Sequence, residues 1–465
     1  MMLRSFLTNS GGILFSRILG FFRDISTASV LGANIYSDIF FVAFKIPNLF
    51  RRIFAEGAFT QAFLPAFTHS KHKGSFAVGV LIRFVSFLLI LSFLVMIGAP
   101  WLTKLIAFGF DDETIALATP LVQINFWYLL LIYIVTFLAA LLHYRAHFAT
   151  TAFSTGLLNI AMIGALLLSD SSNPSQTVWN LSWGVIVGGI LQALVHLWAI
   201  KKWRMGRLLM AGIKRWRVKN DQIKPFYRKF SHAVLGSSTA QLSAFLDTWL
   251  ASFLAFGSIS YLYYANRVFQ LPLALFAIAL SVALFPSITK ALKKKEEEKA
   301  HKALLDGFWI LAFLLSLCAL GGIMLAPEIT WLLFERGAFS GNDSENTAYV
   351  LQMYLVGLVP FGLAKLFSLW LYASQRQGKA AAISGWSLGA NVIFSLILIL
   401  PMGAAGLALA SSLSGFVLLG LTIHAYGLNR FLAIMRTRML LFLFFALTLE
   451  VLGLWGIKEI LRVYF

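Results

Sequence analysis

The sequence predicts an all-α polytopic membrane protein, with two six-helix lobes related by a parallel internal repeat and at least one extra C-terminal helix, for thirteen to fourteen transmembrane helices. Three observations predict it. Of 465 residues, 59% are hydrophobic and 12% charged, with a mean hydropathy of +0.80; soluble domains carry about 25% charged residues, so a soluble enzyme is excluded. Windows of about 20 apolar residues, the length that crosses the hydrocarbon core of a bilayer, recur thirteen times. The third observation is a repeat: DISTASVL from Asp24, AFKIP ending at Pro47 and FLPAFTHSKHK from Phe63 resemble DTWLASFL from Asp247, VFQLP ending at Pro272 and LFPSITKALKK from Leu284. The shift spans six helices, so both copies have the same membrane orientation, an arrangement of transporters with the substrate path between the halves.

The windows centre near residues 20, 45, 92, 128, 160, 188, 243, 275, 316, 360, 392, 415 and 448. The first holds Arg17, Arg23 and Asp24 and lacks both a clean apolar run and a small-residue cleavage site, so it reads as a polar first membrane helix and not as a leader. The second is interrupted by Pro47, which removes a backbone hydrogen bond and favours a kink. The third to sixth complete an N-lobe over 1–200. A basic stretch follows, KKWRMGRLLMAGIKRWRVKNDQIKPFYRK over 201–229, with eleven Lys/Arg, one acid and interleaved Trp, Leu and Met. It has the pattern of an amphipathic helix on anionic lipid headgroups, a cytoplasmic linker over 201–227. The seventh to twelfth segments form a C-lobe over 228–428, and 429–465 holds the extra segment.

The 38 Lys+Arg against 19 Asp+Glu leave a net charge of +19. In a soluble chain that excess would suggest nucleic acid, but so apolar a chain has no polar surface for it, and no nucleic-acid partner is expected. The loops account for most of it. Basic connections at 71–73, 143–147, 201–229, 290–302, 375–379 and 429–438 alternate with LGANIYS, FDDETIA, SDSSNPSQT, FGSIS, ERGAFSGNDSEN and PMG, which hold a single Arg336. The positive-inside rule then places the N-terminus and the basic loops in the cytoplasm.

A smaller set of charges lies within the segments, where ionisable groups are costly and mark function. Asp38, Lys45, Asn48, Arg52 and Glu56 share one helical face, with Arg51 beside it. Arg17, Gly20, Asp24 and Thr27 form a second stripe, next to Arg23; Tyr263, Arg267 and Gln270 form a third, before Pro272. Pairing of Arg52 with Glu56 and of Arg17 with Asp24 would merely weld helices together. Against that, Arg17, Arg23, Lys45, Arg51, Arg52 and Arg267 outnumber Asp24, Asp38 and Glu56. Such an excess at low dielectric needs an anion, and Arg suits a bidentate grip on phosphate. Asp247 has no basic neighbour within a turn; with Asn391, Ser395 and Ser411 it could hold a monovalent cation, although Ser411 fits interhelical hydrogen bonding better.

The remaining signals read blandly. Cys318 is a lone cysteine, so neither a disulfide framework nor a thiolate metal site is expected. His143 and His147 flank Arg145 with no third ligand apparent, and KKKEEEK at 293–299 reads as a solvated helix extension. There is no Walker A loop, nucleophile elbow or HExxH, and no catalytic residue or cofactor is expected.

FSRILGFFRD at 15–24, SDIFFVAFKIPNLFRRIFAEGAFTQAFLP at 37–65 and YYANRVFQLP at 263–272 resemble the signatures of the MurJ (MviN) lipid II flippases, within the multidrug/oligosaccharidyl-lipid/polysaccharide exporter superfamily. The resemblance implies a multi-pass protein of the bacterial inner membrane that moves the lipid-linked peptidoglycan precursor from the cytoplasmic to the periplasmic leaflet by alternating access; separately, a monomer is expected. It places the family's cavity arginines on Arg17, Arg23, Arg51, Arg52 and Arg267 and its cavity carboxylate on Asp38. The residues themselves leave two driving forces open, a sodium ion at Asp247 or the membrane potential acting on the net positive cavity. Two departures stand out: Gln270 and Asn266 occupy positions where acids are common, and after about residue 430 one long segment fits where the family has two. Rival readings are an exporter of another lipid-linked oligosaccharide or of drugs in the same superfamily, or a membrane scaffold for cell-wall assembly.

Overall fold

The computed structural model describes residues 2–53, 59–170, 172–215 and 221–464; Glu56 and the side chain of Arg52, both on the polar stripe of the second segment, lie outside the described residues. Every regular element among the described residues is helical, as apolar runs buried in lipid require, because a helix satisfies its own backbone. The chain divides into two compact units, 1–257 with Arg336–Phe339, and Ser258–Glu335 with Ser340–Phe465.

The first unit contains α1 (Met2–Leu31), α2 (Ile35–Ile53), α3 (Phe59–His69), α4 (Lys73–Ile106), α5 (Asp112–Phe126), α6 (Tyr128–Tyr144), α7 (Ala149–Leu167), α8 (Pro174–Lys202), α9 (Gly206–Lys214) and α10 (Ile223–Ala251). The second contains α11 (Ser258–Pro272), a π-helical turn over Leu273–Ile278, α12 (Ala279–Lys293), α13 (Glu297–Met324), α14 (Ala326–Phe334), α15 (Gly341–Val356), α16 (Leu358–Ala373), α17 (Gln377–Tyr426), α18 (Leu428–Leu432) and α19 (Thr437–Tyr464). Among the described residues, nine helical stretches are long and apolar enough to cross a membrane. The most apolar surfaces are exposed, with Leu400 at 91% and Trp101 at 81%, as expected where lipid is the solvent. α1, α2 and α10, which carry two of the three polar stripes and Asp247, fall outside the nine, whereas the third stripe, on α11, lies within Ser258–Lys293. α17 holds two of the sequence segments, divided at Gly403, whose φ of 56° breaks the helix. With these, each expected segment has its helix.

Compactness and repeat do not mark the same boundary. The repeat puts α10 at the head of the second half, whereas packing holds it to the first unit. The reason is aromatic: Phe226 of α10 is fully buried, 5.8 Å from the Phe59 ring, 6.0 Å from Phe76 and 6.1 Å from Phe84. The linker is also more divided than an amphipathic helix over 201–229. Its chain leaves α8 through a turn with Arg204 at φ 57°, forms the nine-residue α9, and re-enters helix at Ile223. α9 lies against α4 at glycines: a Cβ on Gly74 would come 2.5 Å from the Leu208 carbonyl oxygen, and Ser75 donates to the Arg215 carbonyl at 2.9 Å. After residue 430 the described residues form one long helix, α19, which packs on α13; Phe313 and Phe442 lie 5.3 Å apart.

Candidate functional site

α1 presents its charges in two settings. Arg23 and Asp24 are buried, at 6% and 2% exposure. The Arg23 guanidinium donates to Asp24 Oδ1 through Nη2 at 2.6 Å and Nε at 3.0 Å, and to Asn159 Oδ1 through Nη1 at 3.1 Å. Asn159, on α7, donates in turn to the Ser16 carbonyl at 3.1 Å. Thr27, the last member of the stripe, donates to the Arg23 carbonyl at 2.8 Å. This approach is possible because small residues face each other: Gly12 lies on Ala152, and Gly20 on the Asn159 amide. Arg17, two turns before Asp24, is exposed. Asp24 therefore pairs with its neighbour Arg23 and not, among the described residues, with Arg17. Asn159 carries the signal that would have found it: a lone amide in an apolar membrane segment, where a polar group needs a partner.

On α2 the stripe is present as a helical face and its members have different environments. Asp38 lies in the first turn, 1% exposed. It accepts the Gly257 N–H through Oδ2 at 2.7 Å, a charge-assisted bond near the positive end of its own helix. Lys45, Asn48 and Arg51 are half-buried, and Arg51 Nε donates to Asn48 Oδ1 at 3.0 Å. The helix continues through Pro47 to Ile53, so the proline is accommodated without ending it. Asn34 closes the turn into α2 by accepting the N–H groups of Tyr36 and Ser37.

In the second unit, Arg267 of α11 donates through Nη2 to the Tyr263 hydroxyl at 3.0 Å, with its guanidinium carbon 5.1 Å from that ring's centre. The stacked phenol orients the cation without neutralising it. Gln270 donates to Asn266, one turn earlier, so the two amides of this face are joined by a hydrogen bond. After Pro272 the helix widens into the π turn over Leu273–Ile278, a feature that recurs at functional positions of helices. The sequence marked this place only through the proline.

The candidate cation ligands divide between the units. Asp247 is a half-buried residue of α10 in the first. Asn391 and Ser395 of α17 are buried, and Ser395 donates to Asn391 Oδ1 at 3.4 Å. Ser411 is half-buried and accepts from Ser414 through its carbonyl; the hydroxyl that bonds between helices belongs to its neighbour Ser412, which donates to the Met353 carbonyl at 2.6 Å. Among the described residues no three His, Cys, Asp or Glu side chains gather as a metal centre. His147 accordingly finds Thr150 at 2.7 Å and the Trp203 ring at 4.8 Å.

Comparison with known proteins agrees with this architecture. The model of the family "Lipid II flippase MurJ" matches residues 27–461. A protein of Helicobacter pylori described as a probable lipid II flippase MurJ is 51% identical over 445 residues, covering 93% of this chain and 97% of its own. A solved structure of lipid II flippase MurJ in an inward closed conformation superposes with a TM-score of 0.79 at 25% identity, over 98% of this chain and 97% of the other. An inward-facing multidrug transporter of the MATE family shares the fold, with a TM-score of 0.69 at 13% identity over 90% of this chain and 95% of its own. The chain thus has the two-lobed helical membrane fold of these transporters, and the match over 27–461 with the 51% identity to a full-length relative shows that it belongs to the MurJ lipid II flippase family.

Proposed function

We propose that this protein moves the lipid-linked peptidoglycan precursor, lipid II, from the cytoplasmic to the periplasmic leaflet of a bacterial inner membrane by alternating access, without covalent chemistry. The observation that carries the reading is the cationic surplus on α1, α2 and α11 in a chain of this family. Arg17, Arg51, Arg52 and Arg267 bind the diphosphate, with Lys45 adding charge, while the polyprenyl tail stays in lipid. Arg23 acts through position: its guanidinium is engaged by Asp24 and Asn159. Asp24, Asp38 and Glu56 hold the cations in place, and Asn48 and Gln270 supply neutral polar contacts. Binding of the diphosphate neutralises charges that would otherwise repel at low dielectric, which favours the conformational change.

The protein works as a monomer with its N-terminus in the cytoplasm, and the 201–229 stretch contacts anionic lipid. No cofactor takes part. The drive comes from a sodium ion at Asp247, Asn391, Ser395 and Ser411 or from the membrane potential acting on the net positive site. Thermal stabilisation by sodium that is lost in Asp247→Ala selects the ion; no sodium effect on the parent selects the potential. Transport itself is tested by depleting the protein and assaying the sidedness of lipid II, then rescuing with cavity variants. Precursor should accumulate in the inner leaflet and be released by the parent gene. Precursor that reaches the outer leaflet at the normal rate after depletion overturns the proposal.

A further inference from the structure

A surface groove of about 640 Å³ opens in the first unit between α4 and the first turns of α10. Its rim carries Arg83, Lys224 and Arg228, and its walls are aromatic, with Phe84, Phe87 and Tyr227 among them; among the described residues no acid lines it. The groove is built firmly. α10 turns Phe226 and Phe230 inward onto Phe84, at 6.1 and 5.3 Å, and leaves Lys224 and Arg228 exposed on its other face. Tyr227 stacks on Phe84 with ring centres 5.5 Å apart. Arg83 is anchored by donating to the Gly79 carbonyl at 2.9 Å. Three cations around one groove without a carboxylate form an anion site.

Depth along α4 says what kind of anion. At 1.5 Å per residue, Arg83 and Trp101 are separated by about 27 Å, close to the thickness of the hydrocarbon core. Between them Phe87, Ile90, Leu94 and Ile97 follow at steps of three and four and are exposed at 59%, 62%, 60% and 80%. Arg83 thus stands at headgroup level, and an apolar track leads from the groove into the bilayer. A free phosphate would use the cations and leave the track empty; an acidic peptide would meet lipid there.

We propose that this groove is a specific site for an anionic bilayer phospholipid, with the headgroup phosphate held by Arg83, Lys224 and Arg228 and an acyl chain laid along Phe87, Ile90 and Leu94. The proposal narrows the lipid contact of the 201–229 stretch to one site and does not depend on the cargo.

The test titrates full-length protein in mild detergent with phosphatidylglycerol or phosphatidylcholine and counts bound lipid by native mass spectrometry. Phosphatidylglycerol should bind more tightly, and each of Arg83→Gln, Lys224→Gln and Arg228→Gln should weaken it roughly fivefold, as expected for one basic residue at an anionic surface. The triple variant should lose the preference, while Lys201→Gln with Lys202→Gln, basic but outside the groove, should keep it. Should the triple variant not remain monodisperse, Arg228→Gln, at an exposed side chain, carries the same test. Phosphatidylglycerol binding unchanged in the variants overturns the proposal, as does displacement of the lipid by millimolar inorganic phosphate. An equal loss of polyprenyl diphosphate binding in the same variants overturns it in favour of a cargo site. Because no step reads transport, the outcome is separate from that of the flippase proposal.

Discussion

Arg17 and Arg23 share a helix and differ in what surrounds them, and that difference separates stability from transport. Removing one partner of a buried ion pair leaves an uncompensated charge and costs about 3–5 kcal/mol. Asp24→Ala, which removes the carboxylate paired with the buried Arg23 guanidinium, should therefore lower the melting temperature in detergent strongly. Arg17 is exposed; Arg17→Ala should leave the melting temperature within a degree or two of the parent and reduce lipid II translocation by about 10–100-fold, the worth of a hydrogen bond to a charged group. A comparable loss of stability in both variants would contradict this division. His147 adds a pH term. Burial first, and the Lys202 charge second, hold its pKa below the ordinary histidine value. A depressed histidine contributes stability above its unfolded pKa of about 6.5, which is lost as pH falls from there through the folded value. Melting temperatures taken from pH 7.5 to 5 should thus decline, and His147→Gln should flatten part of that decline.

Helix ends and helix contacts were legible to different degrees. The start of α15 is written locally: Ser340 accepts the Asp343 N–H while Asp343 accepts the Ser340 N–H at 2.9 Å, a reciprocal cap. Ser340→Ala should cost about 1 kcal/mol, read as a lower melting temperature with helix content unchanged at low temperature; Ser340→Asp should restore most of it. The extents of α4, α8 and α13 follow from the length of their apolar runs, and the polar stripe of α2 from steps of three and four. The partners were not local. Nothing in the linker's composition says that Gly74 lets α9 lie against α4, or that Phe226 seats α10 in an aromatic cluster drawn from α3 and α4. The sequence shows which face of a helix is apolar; it does not show which of several apolar neighbours that face will meet.

For the molecule as a whole, the net charge of +19 separates into populations that obey different physics. The few cations within the segments are selected by position on a helix face, so Arg17, Arg51 and Arg267 are legible from spacing alone. The many in the loops act through the membrane, and their alternation with acid-bearing connections states an orientation that can be checked directly. Cys318 is the single cysteine, so Cys318→Ser gives a background free of thiols. Lys71, between α3 and α4, and Ser172, between α7 and α8, are exposed turn residues on loops of opposite class, and a cysteine introduced at either should leave the helices undisturbed. A membrane-impermeant maleimide applied to cells with a permeabilised outer membrane should label the Ser172→Cys protein and spare Lys71→Cys until the inner membrane is breached. The reverse pattern would invert the topology and put the 201–229 cations, with the groove at Arg83, on the periplasmic face, away from the leaflet in which a lipid-linked precursor would be loaded.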